Sequence, residues 1–167
     1  MTEHAQLPAG GTPYRIAIVC LGNICRSPMA HVVLESALAE VGLAEAVTIT
    51  SSGTAGWHTG KPMDSRAAAE LSAAGHDPSR HRARQFTPAW FDHDLILAMD
   101  ASNLADILAL APTAIDPGRV RLFRDFDPLA ETGAEVPDPW SGGRQGFTDV
   151  LAMVERTAAH LVTLLQR

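Results

Sequence analysis

Arg15-Ile16-Ala17-Ile18-Val19-Cys20-Leu21-Gly22-Asn23-Ile24-Cys25-Arg26-Ser27-Pro28-Met29-Ala30 is the stretch that decides the fold of this chain. Its apolar run, Ile16 to Val19, reads as a strand buried within a parallel sheet. The run ends on a cysteine, passes through a short loop with one glycine, and enters an amphipathic segment from Pro28 to Glu40. The Cys20 thiol is therefore expected at a strand's carboxyl end, under the amino terminus of a helix. Free backbone N–H groups and the helix dipole attract an anion at such a place. The stretch reads as a phosphate-binding loop after strand 1, with a nucleophile at its floor.

The residue types fit one chemistry. A thiolate attacks phosphorus well, and helix N-terminal N–H groups with a nearby guanidinium favour it over the thiol. Arg26 can grip two phosphate oxygens with its planar fork, which a lysine cannot do. Gly22 and Asn23 suit the left-handed backbone that turns successive N–H groups inward. Ser27 can donate to the sulfur and help it leave a phosphoenzyme intermediate. Cys-x5-Arg alone is a weak pattern; at a strand-to-helix junction, followed by Ser and Pro, it becomes specific.

Cys20-Leu-Gly-Asn-Ile-Cys-Arg-Ser-Pro28 resembles the signature loop of the low-molecular-weight protein tyrosine phosphatases. The likeness extends over roughly Arg15 to the C-terminus. It includes the segment Ser51-Ser52-Gly53-Thr54 after the second strand and the acid loop Asp138-Pro139-Trp140. It implies a phosphotyrosine-containing protein as substrate, no cofactor and no metal. Leu21, Gly22, Asn23, Ile24, Cys25 and Ser27 would then surround the phosphate, with Cys20 as nucleophile and Arg26 as its anion clamp. The family's eukaryotic members often carry two tyrosines after the acid loop's Asp-Pro. Here those places are Trp140 and Ser141, and Tyr14 is the single tyrosine, so phosphorylation of that loop on tyrosine is excluded. The bacterial branch is the nearer likeness, partly through Gly56-Trp57-His58.

Asp138 lies between Pro137 and Pro139, which stiffen its backbone in an extended form. Such a loop can hold a carboxylic acid over the phosphate, to protonate the leaving oxygen and then activate water. An exposed loop aspartate is the commoner fate of Asp-Pro, and on the residue pattern alone both readings stand. The resemblance favours the acid role. It also implies that Trp57 and Trp140 wall the pocket mouth and sandwich an aromatic ring. The alternative for each is cover for the core. Cys25 reads as a buried filler, a metal ligand or a redox partner of Cys20. A metal lacks further ligands at suitable spacing, and the resemblance implies a reversible disulfide with Cys20. His81 resembles the family histidine that hydrogen-bonds the loop asparagine, here Asn23. Asp100 resembles an aspartate bracing the same region, and Ser52 is a further supporting candidate at a strand end. Capping or surface roles compete for His81 and Asp100.

At 167 residues the chain reads as one domain with a proper core. Strands are expected near 15–19, 47–51, 94–99 and 120–123, and helices near 26–41, 64–74, 100–110 and 146–166. This alternation predicts an α/β fold, a single doubly wound domain with a four-stranded parallel sheet flanked by helices. Residues 1–13 are expected as a disordered tail and 14–167 as the phosphatase domain. The 46% hydrophobic residues fall in short runs, so no membrane span is expected. The first residues lack a secretory pattern, and two cysteines five residues apart fit a reducing, cytoplasmic compartment. A net charge of −6 argues against nucleic-acid binding. A monomer or weak dimer is expected. Two other readings compete on the same scaffold. A protein-arginine phosphatase carries threonine where this chain has Ile24, and a non-catalytic phosphoprotein-binding module has no need of Cys20.

Overall fold

The computed structural model describes residues 5–167. Strand β1 (Tyr14–Cys20) is buried from Ile16 onward and runs at the centre of a four-stranded sheet. The order is β2-β1-β3-β4, with β2 at Val47–Gly53, β3 at Leu95–Ala98 and β4 at Val120–Leu122. Every pairing is parallel, and the register sets Cys20 beside Gly53 and Val19 beside both Ser52 and Ala98.

Strand periodicity divides the side chains of β1 between two cores. Ile16, Ile18 and Cys20 join one core, with Met29, Leu34 and Leu38 of α1 (Arg26–Glu40). α2 (Ser65–Ala73) gives Ala67 and Leu71 to that core, and α4 (Arg144–Leu165) gives Phe147, Val150, Val154 and Leu161. Ala17 and Val19 face the opposite core with Phe86, Phe91, Ile96 and Ile107 of α3 (Ala101–Ala109). The sheet is thus covered on both faces, which is why its central strands β1 and β3 read as continuous apolar runs while β2 and β4, at the edges, carry polar residues.

The helix ends follow local chemistry. Asp64 and Asp100 cap α2 and α3 by accepting from Arg66 N and Asn103 N. After α2, Gly75 at φ +88° lets His76 N bond Leu71 O and Gly75 N bond Ser72 O, the double closure that ends a helix on a left-handed residue. α4 starts at Arg144, two residues before the expected Gly146. A short 3-10 turn at Pro88–Asp92 precedes β3, and another at Phe123–Phe126 takes Phe123 from the end of the expected fourth strand and the start of the expected loop.

Residues 1–4 of the expected tail lie outside the described residues. From Ala5 on, the chain is held against the body. Ala5 is buried, Leu7 packs on the core, and Gly11 N donates to Asp94 Oδ1 at 3.2 Å. Tyr14 Oη donates to Pro8 O at 2.9 Å, and burial pushes this phenol up to about 12. No helix among the described residues is long and apolar enough to cross a membrane.

Candidate active site

Cys20 closes β1 and Arg26 opens α1, so the five residues between them must reverse the chain within one loop. The reversal turns on Asn23, the non-glycine residue with positive φ (57°) among the described residues. Asn23 is fully buried and bonded on all sides. Its N–H donates to Cys20 Sγ at 3.2 Å, and its amide nitrogen donates to Ser27 Oγ at 2.8 Å and Ser51 Oγ at 3.2 Å. Arg84 N donates to its Oδ1 at 2.9 Å, and His81 Nε2 lies 2.7 Å from its carbonyl. Burial pushes His81 down to about 4, so its ring is neutral and its Nε2–H donates. Gly22, expected to share the left-handed turn, is not among the residues with positive φ. A Cβ there would lie 3.1 Å from the His58 ring, so close packing is what favours its lack of a side chain.

Ser27 Oγ stands 3.0 Å from Cys20 Sγ. Because it accepts from Asn23, its own proton is free to point at the sulfur, with Ser52 O at 3.3 Å as the alternative. The Asn23 N–H and the Ser27 hydroxyl thus both lie against Sγ. The N-terminus of α1 has no capping side chain and no acid in its first turn, unlike α2 and α3 with their aspartate caps. Its first N–H groups and its positive end therefore remain for an anion at the loop.

Arg26 is 2% exposed, and a buried guanidinium requires partners. Its Nη1 donates to Asp100 Oδ2 at 2.7 Å and to Val136 O at 3.0 Å. Its Nη2 lies 3.7 Å from Asp138 Oδ2. Asp100 accepts from Arg26 with one oxygen while the other caps α3.

Asp138 belongs to an irregular segment, and its side chain is about half exposed (45%). Its Oδ1 accepts from Trp140 N at 3.1 Å, a local turn that aims the other oxygen toward Arg26. Arg66 fastens the segment from α2, donating to Trp140 O at 3.0 Å and Gly142 O at 3.3 Å while lying over the Phe147 ring. Burial would raise the carboxyl of Asp64, yet its hydrogen bonds from Arg66 carry it below the ordinary range. Asp64 N in turn donates to Ile24 O, linking the two loops.

The space between them is a cleft of about 220 Å³. Cys20, Cys25 and Arg26 line it at depth, and Trp57, His58, Asp138 and Trp140 line its sides. Both tryptophans are exposed, Trp57 at 71% and Trp140 at 57%, so neither is core cover. Leu21, Gly22 and Ile24 also face the cleft. Cys25 is buried, and that burial, with Asp64, Cys20 and Asp138 nearby, pushes its thiol up to about 12.

Several contributors escaped the sequence reading. Ser51, not Ser52, sends its hydroxyl to Asn23; Ser52 offers its carbonyl, and its buried Oγ has no partner among the described residues. Strand alternation was the available signal, since Val47 and Ile49 face α1 and Ser51 continues their side. Gly53 was missed as a contact residue: a Cβ there would sit 2.5 Å from Leu21 O and 3.0 Å from Asn23 N. His58 and Arg66 carried no local signal.

Comparison with known proteins agrees with this geometry. Residues 15–167 match the family described as low molecular weight phosphotyrosine protein phosphatase. A low molecular weight protein-tyrosine-phosphatase of Streptomyces coelicolor is 44% identical over 155 residues, covering 92% of this chain and 94% of that protein. Low molecular weight protein-tyrosine phosphatase A of Mycobacterium tuberculosis is 40% identical over 144 residues, 86% of each chain. Among solved structures, a protein tyrosine phosphatase of Entamoeba histolytica with Hepes in its active site superposes with a TM-score of 0.84. It is 31% identical, over 92% of this chain and 97% of that one. YfkJ of Bacillus subtilis gives 0.85 at 28% identity, over 95% and 98%.

Proposed function

Since the chain belongs to the low molecular weight protein tyrosine phosphatase family, and is thus a hydrolase, we propose that it hydrolyses phosphotyrosine in proteins through a phosphocysteine at Cys20. The observation that carries this reading is the convergence of the Asn23 N–H and Ser27 O–H on a sulfur at the bottom of the cleft. In this scheme the catalytic domain is residues 14–167.

The Cys20 thiolate attacks phosphorus in line with the phenolic oxygen. Arg26 meets the equatorial oxygens through Nη2 and Nε, because Nη1 is engaged by Asp100 and Val136 O. The N–H groups of the loop and of α1 share the remaining charge, so the positive field comes from the protein itself and the reaction needs no metal. Asp138 gives its proton to the departing phenolate, then takes one from the water that attacks the phosphocysteine. Ser27 stabilises the sulfur as it leaves. Trp57 and Trp140 flank the ring and favour an aryl ester over the shorter phosphoserine. Cys25 is the resolving thiol after peroxide converts Cys20 to a sulfenic acid, their condensation giving a disulfide and water. Its raised pKa makes that step slow near neutrality and faster in base.

The test is hydrolysis of phosphotyrosine, phosphoserine and phosphoarginine peptides in EDTA, by wild type and Cys20→Ser. Turnover confined to phosphotyrosine and lost in the variant, with inorganic phosphate still bound, is expected. Preference for phosphoarginine overturns the substrate class, and turnover by Cys20→Ser overturns the nucleophile.

A further inference from the structure

Next to the phosphate loop an open polar groove of about 370 Å³ is lined by His31, Glu35, Ser36, Asp77, Arg80 and His81. Both of its histidines support Asn23. His81 does so directly, at the Asn23 carbonyl. His31 does so through a hydroxyl: its Nδ1 lies 3.1 Å from Ser51 Oγ, which accepts from Asn23 Nδ2.

The orientation of the Asn23 amide is fixed from the inside. Arg84 N–H marks Oδ1 of Asn23 as the acceptor side, so the other side is the amine. That amine donates to two hydroxyls, Ser27 and Ser51. Each hydroxyl, having accepted one hydrogen bond, has its own proton to place. Ser27 Oγ lies 3.0 Å from Cys20 Sγ and 3.3 Å from Ser52 O, and the acceptor within reach of the buried Ser51 hydroxyl proton is His31 Nδ1, 3.1 Å away. In that arrangement Nδ1 accepts from Ser51 and Nε2 carries the proton. That proton meets the Glu35 carboxylate one helical turn on. The hydrogen bond from His31 holds the Glu35 carboxyl below its usual range, as an acceptor requires. The charged and titratable groups around His31 are Glu35 on its own helix and Asp77, Arg80 and His81 on the segment after α2; Arg80 lies 3.8 Å from Glu35.

We propose that His31, oriented by Glu35, is a positioning residue of the phosphate loop: as acceptor for Ser51 it locks the Asn23 amide and thereby aims Ser27 at the Cys20 sulfur. This rests on the reading of Cys20 as nucleophile. Without an acceptor at His31, the Ser51 proton turns back toward Asn23, and the amide loses one of the two hydroxyls that hold it.

The experiment compares wild type with His31→Ala, His31→Gln, Ser51→Ala and the double variant His31→Ala/Ser51→Ala. One readout is kcat and KM for an aryl phosphate. The other is the pH profile of Cys20 alkylation by iodoacetamide, followed by peptide mass analysis and needing no turnover. His31→Ala is expected to lower kcat about fivefold to tenfold with KM nearly unchanged, the size of one lost hydrogen bond. It should also move the alkylation profile to higher pH. His31→Gln, whose amide oxygen can accept from Ser51, should recover most of the loss. The double variant should be no worse than Ser51→Ala alone, because both act through one link. Additive losses overturn the proposal. So does a His31→Ala protein that melts earlier but keeps its kcat and alkylation profile. Turnover by Cys20→Ser would remove the nucleophile reading, while the alkylation profile would still judge the His31 link by itself.

Discussion

The loop that carries Cys20 and the loop that carries Asp138 face each other across one cleft, yet they are built in opposite ways. In the first, Asn23, Arg26 and Ser27 are at most 2% exposed, and Asn23 alone engages Ser27, Ser51, His81 and Arg84. In the second, Asp138 is about half exposed and Trp140 more so. Its ties gather at one end, with Val136 N on Met99 O, the Arg26–Val136 bond and the bonds of Arg124 and Ala101 N to Glu135. Beyond Val136 it has the Arg26–Asp138 ion pair and the two hydrogen bonds from Arg66. A nucleophile and anion clamp gain from geometry fixed before substrate arrives. In the proposed scheme, a proton donor that must admit a peptide-borne ring, and later a water, gains from a segment that yields.

This contrast can be broken from either side. Asp138→Ala should cost about 10³-fold in kcat for phenyl phosphate but under about tenfold for esters of acidic phenols, since only poor leaving groups need the proton. A leaving-group series with equal losses throughout would end the general-acid assignment. Gly53→Ala acts on the rigid side. Its methyl meets backbone of Leu21, Gly22 and Asn23, so the whole loop must move. A loss of about 10²-fold in kcat/KM is expected, equal across that same series. A leaving-group-dependent loss would mean that the two loops are not separable.

Arg66→Ala sharpens the comparison, because it frees the acid loop without touching Cys20. About fivefold to tenfold in kcat should be lost, with phosphate inhibition unchanged, as for one or two hydrogen bonds. Weaker phosphate binding in that variant would count against the division. The smallest effect on rate is expected at Asp127, which anchors the segment's start. It is buried and accepts from Arg156 at 2.7 and 2.8 Å, from Arg124 at 3.0 Å and from Leu129 N. Burial opposes its ionisation, but these partners carry its carboxyl down to about 2. A depressed carboxyl contributes stability above its unfolded pKa and loses it as pH falls through the folded value. Asp127 should thus contribute about 2 kcal/mol at neutral pH, lost between about pH 4 and pH 2. Urea unfolding of wild type and Asp127→Asn at pH 7 and pH 3 checks this; equal stability of the two proteins at pH 7 would refute it.

The asymmetry also explains what the residues revealed on reading. Every strand and helix announced itself, because burial on both sheet faces leaves apolar runs and helical periodicity that survive in one dimension. The Cys20 loop was legible too, down to the left-handed Asn23, since a strand, a turn and a helix start are all local. The turn was misjudged at Gly22, where the need is room for the His58 ring rather than a backbone angle. The choice of Ser52 over Ser51 turned on which face of β2 meets α1, a matter of register that two adjacent serines hide. The first residues read as a tail because they lack periodicity, yet from Ala5 on they are held by Asp94 and Tyr14.

By itself, then, the sequence determined the fold, the family likeness and the course of the loop between Cys20 and Arg26, because these follow from contacts between near neighbours in the chain. The tertiary structure decided which distant groups hold that loop still. Arg26 finds its acceptors 74 and 110 residues away, and Asn23 is bonded by residues 58 and 61 positions on. Such partners need only one donor or acceptor at the right point in space, and a single polar side chain leaves no periodic trace from which that point can be read.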